Sequence, residues 1–377
     1  MAGIYLHIPF CKHKCNYCNF FSVASKQYRE VFVDALLKEM VARSGYLNGE
    51  EVNTVYFGGG TPSMLSVEEL NRIIGSLKKY FLLSPDLEIT LEANPDDLTD
   101  DKVKALKEDT PVNRFSIGVQ SFHDDDLLYL DRIHNGKDAI NALERVLKAG
   151  FKNLTIDLIY GIPGLTQEKW KKNLDLFFSY DIPHLSSYSL TVEPKTALAV
   201  QIKKRKKIEP DEELAIKHFE LLTAETSRHG YVHYEISNFA KKGFYSKHNS
   251  IYWLGGHYLG LGPSAHSFNG VSRQWNVASV KKYVESDKVE KIIDEKEILT
   301  IEQRFNEYVM TSLRTVWGCD MEHVRNVFGG TYVDHFVKEI KKYLDQGFVK
   351  KNGSRYLLTE KGKLFADGIA SDLFYDS

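Results

Sequence analysis

The stretch Cys11-Lys12-His13-Lys14-Cys15-Asn16-Tyr17-Cys18 holds three of the four cysteines in this 377-residue chain. Gaps of three and two residues place three thiolates on one short loop, and the fourth cysteine, Cys319, lies far away in the C-terminal part. A metal centre held by three cysteines keeps one position open for an exogenous ligand or for chemistry. The spacing therefore indicates a cofactor-binding loop, and iron with sulfide is the interpretation we favour.

Structural zinc and disulfide bonds are the two other interpretations of these cysteines. A structural zinc site needs four ligands, and His13 or Cys319 could complete the set. Disulfides are disfavoured because cysteine is scarce, the chain starts without an apolar secretory segment, and a core of this size needs no covalent staples. A reducing, cytoplasmic location is therefore expected. We expect His7 to support the cysteine loop through a hydrogen bond and His13 to be exposed.

The composition excludes some classes of function but does not identify one. Hydrophobic residues make up 43% of the chain and the formal net charge is -2, as in ordinary soluble proteins of about two or three domains. This balance gives no reason to expect a nucleic acid partner. No stretch approaches the roughly 20 apolar residues of a membrane-spanning helix. The basic run 203–207 is interpreted as a solvated loop rather than a phosphate or lipid-surface site.

Short segments rich in β-branched and aromatic residues alternate with amphipathic helices over the first 230 residues. Ser66 and Glu69 form a capping-box pattern that predicts one helix start. Six β-then-α units predict a parallel sheet covered by helices, and six are too few for a closed eight-stranded barrel, so we expect a curved, open barrel. The predicted strands cover 4–8, 54–57, 87–91, 114–119, 154–159 and 185–190. The predicted helices cover 27–43, 66–80 and 211–229, with others starting near 99, 136 and 166.

Unusual residues follow these strands at one edge of the predicted barrel, where barrels of this kind place their active sites. The cysteine loop follows the first strand, and Gly58-Gly59-Gly60-Thr61-Pro62 follows the second. Glycines let a backbone approach a ligand closely and offer it N–H and C=O groups. The predicted ligand is a small polar molecule with an amino-acid end that chelates the open iron. For four polar residues near the later strand ends, a turn-forming or solvent role stays open beside a ligand role; these are Gln120, Arg132, Asp157 and Thr191.

The spacing of Cys11, Cys15 and Cys18 is similar to the CxxxCxxC signature of radical S-adenosylmethionine (SAM) proteins. The loop Gly58-Gly59-Gly60-Thr61 resembles their methionine-binding loop, in the variant found among oxygen-independent coproporphyrinogen oxidases and their relatives. The resemblance covers nearly the whole chain and implies a partial (β/α)6 TIM-like barrel. Its other segments are 5–10, 57–63, 92–95, 116–122, 157–164 and 234–240.

The resemblance implies that Cys11, Cys15 and Cys18 hold a 4Fe-4S cluster and that SAM chelates its unligated iron. An electron from a donor such as flavodoxin or ferredoxin then cleaves SAM to a 5'-deoxyadenosyl radical. Glu92 is implied to meet the ammonium of SAM by a charge-assisted hydrogen bond. Tyr17 and Thr61 border both parts of the site. The residues implied at the cluster-bound SAM are Tyr5, Gly59, Gly60 and Glu92, and those implied around a second SAM or substrate space are Gln120, Arg132, Asp157 and Thr191.

Two features separate branches of this family. Coproporphyrinogen oxidases carry a fourth cysteine two places after the third, whereas this chain has Phe20 there. The segment His248-Asn249-Ser250-Ile251-Tyr252-Trp253 resembles the HNxxYW motif of HemW-type heme chaperones. That resemblance implies His248 as a ligand of heme iron and Tyr252 and Trp253 as flat faces for the porphyrin. The alternative is a structural histidine beside two core aromatics. Further candidate iron ligands are His257 and His266.

We therefore expect a heme-binding chaperone that hands heme to acceptor proteins, including membrane-associated ones. The alternative is an oxygen-independent coproporphyrinogen III dehydrogenase, which decarboxylates two propionate side chains oxidatively to vinyl groups. The predicted domains are a barrel at 1–230, a connecting segment with the HNxxYW motif at 231–290, and a C-terminal domain at 291–377.

The C-terminal domain resembles a winged-helix module. Predicted helices at 277–285, 301–313 and 321–328 precede a hairpin at Asn352-Gly353 and a last helix from Thr359. Such modules often bind DNA, but without a strongly basic recognition helix we expect a lid or packing role. Cys319 is expected to be a buried or free thiol.

Overall fold

Six parallel strands form the centre of the protein. The structure, a computed structural model, describes residues 1–25 and 27–376. The six strands are neighbours in chain order and every pair is parallel, which confirms the predicted barrel of alternating units. They are β1 (Ala2–Ile8), β2 (Val52–Gly59), β3 (Leu83–Ala93), β4 (Arg114–Gln120), β5 (Asn153–Tyr160) and β6 (His184–Ser189).

Helices cover the outer face of these strands, and their starts follow the capping signals. Ser66 and Glu69 form the predicted capping box, while Thr99 and Thr166 each cap a helix with a side-chain oxygen. Apolar helix faces pack on the sheet in one core. The helices are α1 (Arg29–Ala42), α2 (Val67–Tyr80), α3 (Asp100–Asp109), α4 (Asp124–Tyr129), α5 (Gly136–Lys148), α6 (Gln167–Ser179), α7 (Ala197–Lys203) and α8 (Glu212–Arg228).

The sheet continues beyond the six predicted strands on both edges. One later strand pairs in parallel with β1, and another pairs antiparallel with β6. Residues of the predicted connecting segment 231–290 thus extend the barrel sheet. The domain boundaries at 230 and 290 remain predictions. The added elements are β7 (Val232–Glu235), β8 (Asn238–Ala240), α9 (Lys247–Trp253), β9 (His257–Leu261), β10 (His266–Phe268), β11 (Ser272–Asn276), α10 (Val280–Glu285) and β12 (Ile293–Ile298).

The C-terminal unit has its own apolar core and a small sheet, as the winged-helix pattern predicts. The hairpin forms where expected, although Asn352 is paired with Arg355, so that Gly353 and Ser354 make the turn. Gly353 has φ +60°, which glycine adopts without strain. The elements are α11 (Ile301–Leu313), β13 (Cys319–Asp320), α12 (Met321–Val327), α13 (Gly330–Asp345), β14 (Val349–Asn352), β15 (Arg355–Leu358), α14 (Glu360–Lys363) and α15 (Ala366–Ser371).

The C-terminal unit packs against the barrel through a short backbone connection. Val316 N–H donates to the Tyr234 carbonyl at 2.9 Å, and Trp317 meets the rings of Tyr234 and Tyr245 edge-on. Cys319 is buried in this unit, as expected. In the described part of the chain, no helix is long and apolar enough to cross a membrane.

Candidate functional site

The cysteine loop leaves the C-terminal end of β1 and is held at both ends by backbone hydrogen bonds. Cys11 N–H donates to the Val23 carbonyl at 3.1 Å, and Val23 N–H donates to the Pro9 carbonyl at 2.7 Å. His7 Nε2 donates to the Phe21 carbonyl at 2.8 Å, which confirms the predicted supporting role. Burial lowers the pKa of His7 to about 4, so this imidazole stays neutral at physiological pH. His13 is exposed on the loop, as expected.

The three thiols of this loop are free and half-buried. Arg132 Nη1 donates to Cys15 Sγ at 3.4 Å, which ties this thiol to the arginine in the cavity wall. Burial raises the pKa of Cys18, which disfavours its thiolate until a metal binds. In the described ranges 1–25 and 27–376, no group of three or more His, Cys, Asp or Glu side chains is arranged to hold one metal ion. Three thiols on one loop, with no fourth cysteine beside them, are a soft donor set that fits an iron–sulfur cluster with one open position.

The glycine loop after β2 is fixed against the cysteine loop by close backbone contacts. Gly60 N–H donates to the Ile8 carbonyl at 2.8 Å, and Thr61 N–H donates to the Phe10 carbonyl at 2.7 Å. A Cβ at position 60 would lie 2.6 Å from the Phe10 carbonyl oxygen. Gly59 has φ +107°, a conformation that side-chain-bearing residues rarely adopt. Only glycine therefore brings this backbone so close to Ile8 and Phe10, where the cysteine loop begins.

Two carboxyl groups face the space above the glycine loop. Glu92 accepts hydrogen bonds from the Tyr56 hydroxyl at 2.7 Å and from Gly59 N–H at 3.2 Å. Burial raises the pKa of Glu92 to about 7 and that of Asp157 to about 6. A bound cation would offset this burial and favour both ionised forms. The pair therefore suits a ligand that carries a positive charge.

These groups line one cavity of about 570 Å³, a size typical of small-molecule sites. Gln120, with φ +66°, closes it at the end of β4. Tyr5 does not line the cavity; it lies behind the glycine loop, stacked on Tyr56 with ring centroids 6.1 Å apart. The structure brings the other predicted SAM residues to the cavity lining together with Cys18: Tyr17, Gly59, Gly60, Thr61, Glu92, Gln120, Arg132, Asp157 and Thr191.

Several residues of the cavity lining were not predicted. Arg114 begins β4, is 1% exposed and leaves its Nε without a hydrogen-bond partner in the described residues. A charged residue inside an otherwise apolar strand is the sequence signal that could have found it. Phe20, which is 69% exposed, also lines the cavity at its mouth. The other unpredicted residues include Ser186, Tyr188 and Asn249.

His248 lies inside the protein beside the first two strands, near Gly3 and Thr54. It is 1% exposed, and its ring stacks on Tyr56 with centroids 4.9 Å apart. Nδ1 is 2.7 Å from Thr54 Oγ1 and Nε2 is 2.9 Å from the Tyr252 hydroxyl, so both ring nitrogens are engaged. Burial lowers its pKa to about 3. The structure therefore does not bring His248 to a surface that a porphyrin could reach without rearrangement.

Tyr252 and Trp253 line a second cavity, of about 710 Å³, between the barrel and the C-terminal unit. The lining of neither cavity, as far as the described residues go, includes His257 or His266. His257 Nδ1 is 2.5 Å from Glu50 Oε1, and His266 stacks on Trp275 with centroids 5.6 Å apart. Of the predicted heme residues, only the two aromatic ones thus share a cavity.

Sequence and structure comparisons place this chain among known proteins. The Radical SAM superfamily model matches residues 5–177, and the HemN C-terminal domain model matches residues 299–365. Heme chaperone HemW of Bacillus subtilis is 36% identical over 374 residues, covering 98% of each chain. The same-named protein of Lactococcus lactis is 34% identical over 359 residues, 95% of this chain and 93% of that one.

Heme chaperone HemW of Escherichia coli is 31% identical over 379 residues, 97% of this chain and 96% of that one. The solved structure of coproporphyrinogen III oxidase (HemN) from Escherichia coli aligns with TM-score 0.85 and 24% identity. That alignment covers 99% of this chain and 90% of the oxidase, and it shows a shared fold. With this near full-length similarity, the chain belongs to the radical SAM superfamily and, within it, to the family of the heme chaperone HemW.

Proposed function

We propose that this protein is a cytoplasmic heme chaperone that contains a 4Fe-4S cluster and SAM and transfers heme to acceptor proteins. The observation that carries the proposal is the 36% identity to heme chaperone HemW of Bacillus subtilis over 98% of both chains. Phe20 supports it, because this residue stands where the oxidases carry their fourth cysteine. The acceptors include membrane-associated proteins.

The cluster would be held by Cys11, Cys15 and Cys18, which lie on one loop with free thiols. Arg132 donates to Cys15 Sγ and also fixes the cavity wall by donating to Asn94 Oδ1 at 2.7 Å and to the Gly118 carbonyl at 2.9 Å. When bound and reduced by a donor such as flavodoxin or ferredoxin, the cluster supplies the electron that cleaves SAM. The chain itself binds and orients SAM and excludes water from the site.

SAM would occupy the cavity beside the glycine loop. Gly59 and Gly60 offer backbone groups at close approach, and the carboxylate of Glu92 pairs with the ammonium. Tyr5 supports this loop from behind. Its ring lies beside Gly58, and its hydroxyl is 3.1 Å from His7 Nδ1. We propose that the remaining contacts come from the other lining residues: Tyr17, Thr61, Gln120, Arg132, Asp157 and Thr191.

Heme would bind at the segment that ends α9, where Tyr252 and Trp253 present aromatic faces. Direct ligation of iron by His248 requires its ring to leave both Thr54 and Tyr252, because both nitrogens are engaged. In the arrangement observed, His248 fixes the position of Tyr252. Its contribution to heme binding therefore includes a positioning role.

Anaerobic reconstitution followed by paired assays tests this function. We expect about four iron and four sulfide per chain and a Soret band on hemin titration, followed by loss of heme to an apo-hemoprotein. Cys18→Ser should lose the cluster, while the control Cys319→Ser should keep it because Cys319 lies in the separate core of the C-terminal unit. One zinc per chain would overturn the cluster assignment. Formation of protoporphyrinogen from coproporphyrinogen III, SAM and reductant would favour the dehydrogenase instead.

A further inference from the structure

The cavity of about 710 Å³ between the barrel and the C-terminal unit has two aromatic walls. We call it the interdomain groove. Trp253, Tyr258 and Phe268 line it from the barrel, and Tyr308 and Trp317 line it from the C-terminal unit. Flat aromatic side chains facing each other across a cleft suit a flat apolar ligand. The groove thus offers a porphyrin more aromatic contact surface than the α9 segment alone.

The interdomain groove also carries an excess of cationic side chains. Arg273 is paired with Glu307 at 2.7 Å, and Arg355 Nε donates to Asp320 Oδ2 at 3.1 Å. Arg304 lines the same groove, and its buried Nε has no hydrogen-bond partner among the described residues. Two carboxylates against three guanidinium groups leave a net positive charge. A buried, unpaired guanidinium nitrogen is satisfied best by a carboxylate of the ligand.

His323, on α12, is the histidine that lines this groove. It is exposed and lies against the ring of Tyr308, tilted by 30° with ring centroids 4.4 Å apart. Its ring nitrogens make no hydrogen bond to the described residues, in contrast with those of His248. An accessible imidazole nitrogen is the group that heme iron takes as an axial ligand.

We propose that the interdomain groove is the heme site, with His323 as an axial ligand of the iron and Arg304 as a partner of a propionate. This inference rests on the proposed heme chaperone function and deepens it by assigning the site. Tyr252 forms part of the groove wall, so His248, which binds the Tyr252 hydroxyl, shapes the groove from behind. His248 is thus a positioning residue and His323 the ligand.

Hemin titration of the full-length, cluster-containing protein separates these roles. His323→Ala should weaken hemin binding by roughly tenfold or more and remove the histidine-ligated signature from the absorption and electron paramagnetic resonance spectra. Added imidazole should restore that signature. His248→Ala should weaken binding but keep the signature. The matched control is His229→Ala, because His229 is also exposed and also lies against an aromatic ring, that of Phe178, outside the groove.

A second comparison needs no histidine variant. Arg304→Gln should weaken hemin binding by roughly tenfold, whereas binding of hemin dimethyl ester, which lacks carboxylates, should be the same in wild type and variant. Unfolding midpoints and iron content show whether each variant is folded.

The outcomes distinguish the site from the function. No Soret band with the wild-type protein would refute the proposed function. A normal wild-type titration together with unchanged affinity and spectra in His323→Ala would refute only the site proposed here. Equal sensitivity of hemin and its dimethyl ester to Arg304→Gln would refute the propionate contact.

Discussion

Replacing Gly60 with alanine tests whether the glycine loop and the cysteine loop are fixed against each other. The added Cβ would lie 2.6 Å from the Phe10 carbonyl oxygen and 2.9 Å from that of Ile8. Both are backbone atoms at the start of the cysteine loop, so neither can turn away as a side chain would. The loop must shift by several tenths of an ångström to accept the methyl group.

The expected cost follows from two opposing terms. Overpacking against fixed atoms costs about 1–3 kcal/mol. Gly60 does not have a positive φ, so alanine also restricts the unfolded chain and returns about 0.4–1 kcal/mol. We expect a net loss of roughly 1–2 kcal/mol in the free energy of unfolding, together with poorer retention of iron because Cys11 follows Phe10 directly.

Gly75→Ala is the matched control. Gly75 lies inside α2, is exposed, and has no heavy atom within 4 Å of an added Cβ. Alanine there should stabilise the protein by about 0.8–1 kcal/mol through helix propensity. Urea denaturation and iron analysis after reconstitution measure both variants. A Gly60→Ala protein as stable as Gly75→Ala and with full iron would refute the close packing of the two loops.

Three further predictions concern buried polar groups. Glu39→Ala removes the carboxylate that accepts hydrogen bonds from Arg43 at 3.1 Å and from Tyr283 at 2.6 Å. Because Arg43 stays buried, the free energy of unfolding measured by urea denaturation should fall by about 3–5 kcal/mol. A fall of less than about 1 kcal/mol would contradict this. Arg132→Lys cannot reproduce the two-nitrogen contact in which Nη1 donates to Cys15 Sγ and Nη2 donates to Asn94 and Gly118, so SAM binding in equilibrium dialysis should weaken by roughly tenfold, and unchanged binding would count against the contact. Burial lowers the pKa of His248 from its ordinary value of 6.5 to about 3, so its contribution to stability is present above pH 6.5 and is lost as pH falls below that value. Between pH 7.5 and 5.5 this loss amounts to roughly 1.4 kcal/mol, which His248→Gln should remove from the pH dependence of the free energy of unfolding.

The alternating barrel could be predicted because its signals are local. Strand and helix periodicity and the cap at Ser66 lie within single segments, and the structure has these elements within a few residues of the predicted bounds. The strands from β7 to β12 are short, mostly three to six residues, and several contain histidine, serine or arginine. They are stabilised by pairing with distant strands, and no local pattern reveals that.

In the candidate site, too, the residues fall into those that local sequence signals predicted and those that only the folded structure shows. Motif positions and strand ends predicted most of the cavity that Cys18 lines, because parallel strands bring their carboxyl ends to one edge. The motif named His248 but could not show that Thr54, 194 positions away in the chain, engages its ring. His323 carries no motif at all. An exposed histidine on a helix becomes a candidate ligand only when folding places it in a cavity.

The positions of the two cavities explain how one fold can serve an oxidase and, as proposed, a chaperone. His248 contacts Gly3 at the beginning of β1, and the cysteine loop begins after Ile8, five residues or about 16 Å along the strand. Reacting atoms must approach within about 3–3.5 Å. Among the described residues, the interdomain groove and the cavity that Cys18 lines have no lining residue in common, so a porphyrin bound in the groove, as proposed, would lie apart from the cluster and outside that reach. The TM-score of 0.85 with HemN, at 24% identity, thus shows a shared scaffold, and the proposed position of the porphyrin accounts for transport in place of oxidation.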